Sequence, residues 1–185
     1  MKKLSVALIV LLAAGVSFSA AQTKFELGTS ISYYSLKFDE DTESISYLNI
    51  PVRIGWYFWK GFEIEPEIQF FVPLGADAGD SAYFLQGHLL YNFGSGGVVP
   101  FIGGGAGVGN GIPYLGVVEG GPDYKSFGYV GMAGIKFMVA KAAAIRLEYR
   151  FTRMSWEYPD FFDPLIVIKE WATLHNVLVG VSIFF

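Results

Sequence analysis

Apolar and polar residues alternate one by one through most of the chain. In residues 62–70 every second position is apolar or proline, and the positions between them are glutamate or glutamine. Residues 25–33 and 177–185 show the same period of two, whereas a helix would repeat about every 3.6 residues. The pattern therefore predicts β-strands with one apolar and one polar face.

Eight segments of this kind follow one another along the chain. By number they span 25–33, 48–58, 62–70, 82–93, a fifth from 100, 127–137, 145–151 and 177–185. Beyond the N-terminal segment, no stretch approaches the roughly 20 apolar residues that a spanning helix needs. Alternating strands that face lipid on one side explain the high hydrophobicity instead. We predict an all-β protein, an eight-stranded antiparallel up-and-down transmembrane β-barrel.

The connections between the segments alternate between long and short. The long ones lie near 38–44, 74–81, 109–124 and 156–171 and carry 12 of the 17 acidic residues. The short ones lie near 59–61, 94–98 and 139–142. Bacterial outer-membrane barrels have short periplasmic turns and longer external loops. We therefore expect both termini on the periplasmic side and an acidic outer surface.

The last long connection is unusually apolar over residues 161–168. An exposed apolar segment predicts a binding surface for a partner or a hydrophobic ligand. The simpler interpretation is that the seventh and eighth strands continue above the membrane and pair there.

Charged residues within the strands fall on the polar faces, which should point into the barrel. The predicted lumen charge network consists of Glu26, Arg53, Glu63, Glu65, Glu67, Lys136, Arg146, Glu148 and Arg150. Because an eight-stranded barrel is just wide enough for its own side chains, opposite charges should pair and close the lumen. A conduction path or a catalytic site in the lumen is the alternative.

The second and third strands allow a register to be predicted. A hairpin turning about Lys60 would pair Phe58 with Phe62, and counting five residues each way then pairs Arg53 with Glu67. Both members of the latter pair face inward. The hairpin therefore predicts a buried ion pair at mid-barrel depth.

The three alternating glutamates of the third strand would also suit a metal ion or acid/base chemistry. Residues two apart in a strand are separated by nearly 7 Å, however, and basic partners are available. We expect a structural role, with no metal ion and no cofactor.

Aromatic residues gather near both ends of the predicted strands, as in the girdles that mark membrane interfaces. The set near the short turns is Trp56, Phe58, Trp59, Phe62, Phe93, Phe101, Phe137 and Phe185. The set near the long loops is Tyr33, Tyr47, Phe70, Tyr83, Tyr129, Trp156 and Trp171.

The N-terminus predicts export. A basic start at Lys2 and Lys3, a short apolar run and small residues before Gln22 form a secretory signal peptide over residues 1–21, which leaves 22–185 as one barrel domain. Cysteine is absent, so thiol catalysis, thiolate metal sites and disulfides are excluded.

Two segments resemble the small outer-membrane barrels that include the OmpA transmembrane domain and OmpX. Residues 100–107, a proline, an aromatic and then glycines, resemble the fifth strand of that family. The C-terminus resembles its assembly signal, with apolar residues at every second position before a terminal aromatic: Val177, Val179, Val181, Ile183 and Phe185. The resemblance implies location in the outer membrane and recognition by the outer-membrane assembly machinery.

We therefore expect a non-catalytic protein with a structural or surface-interaction role of the adhesion type. One alternative is an outer-leaflet lipid-modifying enzyme, for which His175 and Ser155 are the candidate pair. A second is a narrow channel for small or apolar solutes. The expected partners are membrane lipids and lipopolysaccharide, the assembly machinery and a ligand of the acidic loops, with no nucleic acid, and the protein should be a monomer.

Overall fold

The computed structural model describes residues 25–36, 45–74, 81–110, 125–159 and 167–185, which form eight β-strands. These are β1 (Phe25–Leu36), β2 (Ile45–Trp59), β3 (Phe62–Leu74), β4 (Ala82–Asn92), β5 (Val98–Asn110), β6 (Lys125–Ala140), β7 (Ala143–Pro159) and β8 (Val167–Phe184). Each strand pairs antiparallel with the next, and β8 pairs with β1, so the sheet closes into a barrel. The predicted fold class is confirmed. Within the described ranges, no helix is long and apolar enough to cross a membrane.

Tight connections join the strands at one end of the barrel, the turn end. Lys60 and Gly61 form the turn between β2 and β3 with φ angles of 27° and 89°, the left-handed values that favoured two-residue hairpin turns require. Short connections at 93–97 and 141–142 lie at this end too. Phe25 and Phe185 meet there through two backbone hydrogen bonds of 3.0 Å. The opposite end is the loop end.

β7 and β8 are longer than the sequence predicted. The sequence predicts a connection over residues 156–171, but Trp156 pairs with Glu170 and Glu157 with Lys169. The reason is that a hairpin can satisfy its backbone groups strand against strand beyond the membrane. The extension agrees with the simpler interpretation of this apolar segment, while residues 161–166 lie outside the described ranges.

The closure between β1 and β8 is short. Pairing runs from Glu26 with Phe184 to Ile31 with Val179, although β1 continues to Leu36. β7 and β8, by contrast, pair at 17 successive positions. The β1–β2 and β7–β8 hairpins therefore separate at the loop end.

Most of the aromatics predicted for the girdles face outward, but three of them do not. Phe101, Tyr47 and Trp156 are only 2%, 1% and 9% exposed, because they belong to inward-facing positions. Phe101 packs inside the barrel in a cluster with Leu90, Val130 and Met132. A second apolar cluster inside the barrel contains Phe71, Ala82, Phe84 and Met154.

Candidate functional site

The nine charged residues predicted for the lumen are all inside the barrel and are at most 2% exposed. They come from β1, β2, β3, β6 and β7, so the cluster crosses the lumen from one wall to the other. Their alternation with lipid-facing residues places them there, since neighbouring side chains of a strand point to opposite faces. Three groups of contacts, from the turn end towards mid-barrel, connect all nine.

The first group surrounds Lys136. Its ammonium donates hydrogen bonds to Glu26, to Glu63 Oε2 at 2.9 Å and to the Tyr57 hydroxyl at 2.7 Å. Tyr57 in turn donates to Glu26 Oε2 at 2.6 Å, and Ser182 donates to Glu26 Oε1 at 2.5 Å. A single buried ammonium thus joins two carboxylates and a phenol.

The second group surrounds Arg146. Its Nη1 and Nη2 donate to Glu65 at 2.5 and 3.2 Å, and its Nε donates to Glu148 Oε2 at 2.7 Å. Nη1 also lies 3.6 Å from Glu26 Oε1, which connects this group to the first. The planar guanidinium suits such a position because its donors diverge towards several carboxylates at once.

The third group surrounds Glu67. Arg150 donates to both of its oxygens, at 2.5 and 2.6 Å, and Arg53 Nε lies 3.4 Å from Oε2. Arg53 also donates to Glu148 Oε2 at 2.9 Å, and Arg150 donates to the other oxygen of the same carboxylate. Gln86 adds a 3.2 Å hydrogen bond to Glu67.

The hairpin register is as predicted at the ion pair and different at the turn. Arg53 lies opposite Glu67, but Trp59, not Phe58, pairs with Phe62, because the register shifts between Tyr57 and Trp59. A bulge of this kind adds one residue to one strand. It shifts the pairs next to the turn and leaves the pairs beyond it unchanged.

Glycines on the inward faces make space for these side chains. A Cβ at Gly55 would overlap the carboxylate of Glu63. On β5, a Cβ at Gly107 would lie 2.7 Å from Gln86, and one at Gly109 would lie 2.6 Å from Phe84. The alternating glycines of β5 therefore let bulky side chains of β4 lie against its backbone.

The comparison with known proteins is consistent with this architecture. A family model described as the outer membrane protein beta-barrel domain matches residues 4–184. The chain belongs to this family. It is therefore an outer-membrane β-barrel protein, located in the bacterial outer membrane.

Two solved structures resemble this barrel. Neisserial surface protein A has a TM-score of 0.59 at 14% identity, over 90% of this chain and 100% of its own. The outer membrane protein OprG from Pseudomonas aeruginosa has a TM-score of 0.46 at 15% identity, over 91% and 99%. No curated protein matches the chain. The likeness to the Neisserial protein is one of fold.

Sequence reasoning missed two polar members of the network in this outer-membrane barrel, Tyr57 and Ser182. Both lie on inward-facing positions, Tyr57 two residues beyond Gly55 and Ser182 between the outward-facing Val181 and Ile183. The period of two would have identified both, had it been followed to Tyr57 near the end of β2 and to Ser182 near the end of β8.

Residues two apart in one strand are too far from each other to share a metal ion, but side chains from different strands of this outer-membrane barrel can come close across the lumen. Carboxylate oxygens of Glu26, Glu63 and Glu65 lie within 4.8 Å of one another, and so do the possible ligand atoms of a second set, two carboxylate oxygens from Glu65 and Glu67 and a ring nitrogen of His88. Side chains from facing walls converge, so a set can be close although its neighbours in one strand are not. In the first set, Lys136 already contacts two of the three carboxylates, and a metal ion would have to compete with it.

The candidate catalytic pair is not brought together on this outer-membrane barrel. His175 lies opposite Phe151, and Ser155 lies opposite Trp171, four residues away or about 13 Å along the strands. His175 Nδ1 instead lies 2.6 Å from the Tyr149 hydroxyl. Ser155 is buried and donates to the Phe127 carbonyl at 3.3 Å.

The five residues of the predicted assembly signal form an outward-facing stripe on this outer-membrane barrel. Their exposures range from 51% to 65%, for Val177, Val179, Val181, Ile183 and Phe185. Phe185 stacks against Phe25 with ring centres 6.0 Å apart. The C-terminal strand thus presents an apolar row to lipid at the closure of the barrel.

Proposed function

We propose that this outer-membrane barrel is non-catalytic, with a structural role in the membrane and a surface-interaction role through the acidic connections at its loop end. The observation that carries the proposal is the buried network. Among the described residues, each of the five carboxylates contacts a cationic group, so none of them is a free general base. An ion-paired cluster across the lumen also opposes a wide aqueous pore.

The proposal is tested by reconstituting the refolded protein into liposomes and planar bilayers. Ion conductance and release of fatty acid from lipid are measured on the same sample, with a general porin and a lipase as positive controls. We expect neither activity. Stepwise conductance would contradict the closed lumen, and fatty-acid release would contradict the absence of catalysis.

The orientation is part of the proposal, with both termini in the periplasm. The support is the distribution of the acidic residues on the longer connections together with the short turns, which outer-membrane barrels keep on the periplasmic side. A tag at Asp41 or Asp163 should be labelled on intact cells, and a tag at Gly96 should not. Labelling at Gly96 alone would show that the termini lie outside the cell and that the proposed orientation is wrong.

We further propose that the outer-membrane assembly machinery recognises the stripe ending at Phe185. We also propose that the folded protein is a monomer in contact with membrane lipids and lipopolysaccharide. Deletion of Phe185 should reduce the amount of heat-modifiable protein in the outer-membrane fraction. Undiminished assembly after that deletion would rule out this signal. Cross-linking in intact membranes should trap no homodimer.

A narrow channel for small or apolar solutes is the second candidate, favoured by the separation of β1 from β8 above Ile31 and Val179. If the ladder continued, Tyr33 and Val177 would be partners. The chain has no cysteine, so Tyr33→Cys combined with Val177→Cys can be joined across this gap by a bifunctional thiol reagent. Passage of an apolar dye that stops on cross-linking would support the channel, and no passage in either state would exclude it.

A further inference from the structure

A basic and aromatic patch lies on the outside of the barrel at its loop end. Its centre is Trp171, which is 45% exposed. The guanidinium of Arg153 lies 5.2 Å from the Trp171 ring centre, and the ammonium of Lys169 lies 5.4 Å from it. Tyr129 borders the same ring at 6.4 Å. Two cations thus flank one exposed indole.

The charge of the patch is only partly compensated. Lys169 pairs with Glu157 at 2.8 Å, but their side chains are 48% and 53% exposed, and an exposed pair is worth little. Among the described residues, no carboxylate lies within ion-pair distance of Arg153. The patch therefore carries an excess positive charge, and the next outward-facing residue of β7 towards the turn end, Phe151, is apolar.

The depth of Arg153 corresponds to the headgroup level of a membrane. From Ala143 at the turn end, ten residues of about 3.3 Å at a tilt of about 40° rise about 25 Å, which is the height of the apolar band of such barrels. A cation at this level is tolerated, whereas at the bilayer midplane it would be costly. Aromatic residues with a polar edge prefer the same level.

We propose that Arg153 and Lys169, both next to Trp171, bind phosphate groups of a phosphorylated glycolipid in the leaflet at the loop end. The two cations supply charge-assisted hydrogen bonds to phosphate oxygens, and the exposed indole offers a flat surface to a sugar ring. With the orientation proposed above, this leaflet is the outer one, whose glycolipid is lipopolysaccharide. The assignment of the leaflet rests on that proposed function, but the chemistry of the patch does not.

The test is native mass spectrometry of the folded protein in detergent, titrated with diphosphoryl lipid A. The double variant Arg153→Gln, Lys169→Gln should bind roughly tenfold more weakly or worse, since each charge-assisted hydrogen bond is a strong one. The matched control is Lys60→Gln, Lys141→Gln, which removes two exposed cations from the turn end and should bind as the wild type does. Exchanging Arg153 for Lys and Lys169 for Arg should largely preserve binding.

Two further probes identify the source of the phosphate. Phosphate-free lipid A should bind as weakly to the wild type as diphosphoryl lipid A binds to the double variant. Inorganic phosphate at millimolar concentration should not displace the lipid. Equal binding by the wild type and the folded double variant, equal binding of phosphate-free lipid, or displacement by inorganic phosphate would each overturn the proposal. Because binding in detergent does not depend on orientation or conductance, its failure is distinct from failure of the proposed function.

Discussion

Arg150 and Arg153 lie three residues apart on β7 and occupy opposite environments. Arg150 is fully buried in the lumen and contacts the carboxylates of Glu67 and Glu148. Arg153 faces outward against the ring of Trp171, with no carboxylate in ion-pair distance among the described residues. An odd number of steps along a strand exchanges the two faces. The same residue type is therefore a structural ion in one case and an interfacial one in the other.

The two arginines differ because different groups can compensate a charge on the inner and outer faces of the barrel. In the lumen only other side chains can compensate a charge, and an unpaired charge there is costly. At the headgroup level, water and lipid phosphates can do so. Pairing is thus required inside the barrel and optional outside it, and mutations should show this as a large difference in their effect on stability.

The largest effect is expected for Glu67→Ala. It leaves Arg150 with one carboxylate instead of two and removes a neighbour of Arg53. We expect a loss of about 3 to 5 kcal/mol in the free energy of unfolding, measured by urea unfolding in liposomes. Gln69→Ala, which removes one neutral donor to Glu67 at 2.9 Å and leaves every charge in place, is the control and should cost less, about 1.5 kcal/mol. A loss below that of the control would mean that the network contributes no stability.

A smaller effect is the coupling between pairs within the network. Glu67 receives two short hydrogen bonds from Arg150 and one longer contact from Arg53. In double-mutant cycles with alanine, both couplings should exceed about 0.5 kcal/mol, with the Arg150 coupling the larger. Additive effects for Arg53 and Glu67 would show that their register contact carries no energy.

These two cycles also separate what the sequence could predict from what it could not. The contact of Arg53 with Glu67 is predicted by counting from a turn centred on Lys60. The observed turn is offset by one residue, and the bulge at Phe58 restores the predicted register. The contact of Arg150 with Glu67 joins β7 to β3 across the lumen. It depends on how the sheet closes and staggers, which no local pattern encodes.

The absence of information about barrel closure in local sequence patterns also explains which other predictions were right and which were wrong. Alternation assigned the lipid-facing and lumen-facing sides of the strands, because lipid on one face imposes it. It did not show that Phe101 is inside the barrel, since an aromatic near a strand end suits a girdle as well as a core. It also missed the contact of Glu26 with Lys136, which come from β1 and β6 and meet only in the closed barrel.

Removal of one hydroxyl should have an intermediate effect. Tyr57 donates to Glu26 and accepts from Lys136, so Tyr57→Phe leaves a donor and an acceptor with one partner fewer. We expect a cost of about 1.5 to 3 kcal/mol, the range for hydrogen bonds to charged groups. Tyr83→Phe, on the outward face, is the control, and urea unfolding is the measurement. Equal effects of the two would remove Tyr57 from the network.

The smallest effect is expected for Arg153→Ala. The side chain lies outside the barrel at the estimated headgroup level, and it is held by contact with Trp171 and not by a carboxylate. Loss of the contact with the ring should cost about 0.5 to 1 kcal/mol, as for exposed cation–π pairs, whereas Arg150→Ala should cost about 3 to 5 kcal/mol. Both variants are unfolded with urea in neutral liposomes, so that an anionic lipid does not add stability to the wild type. If Arg153→Ala were as destabilising as Arg150→Ala, the outward side of β7 would not be in contact with lipid and water. The assignment of the two faces at the loop end would then be wrong.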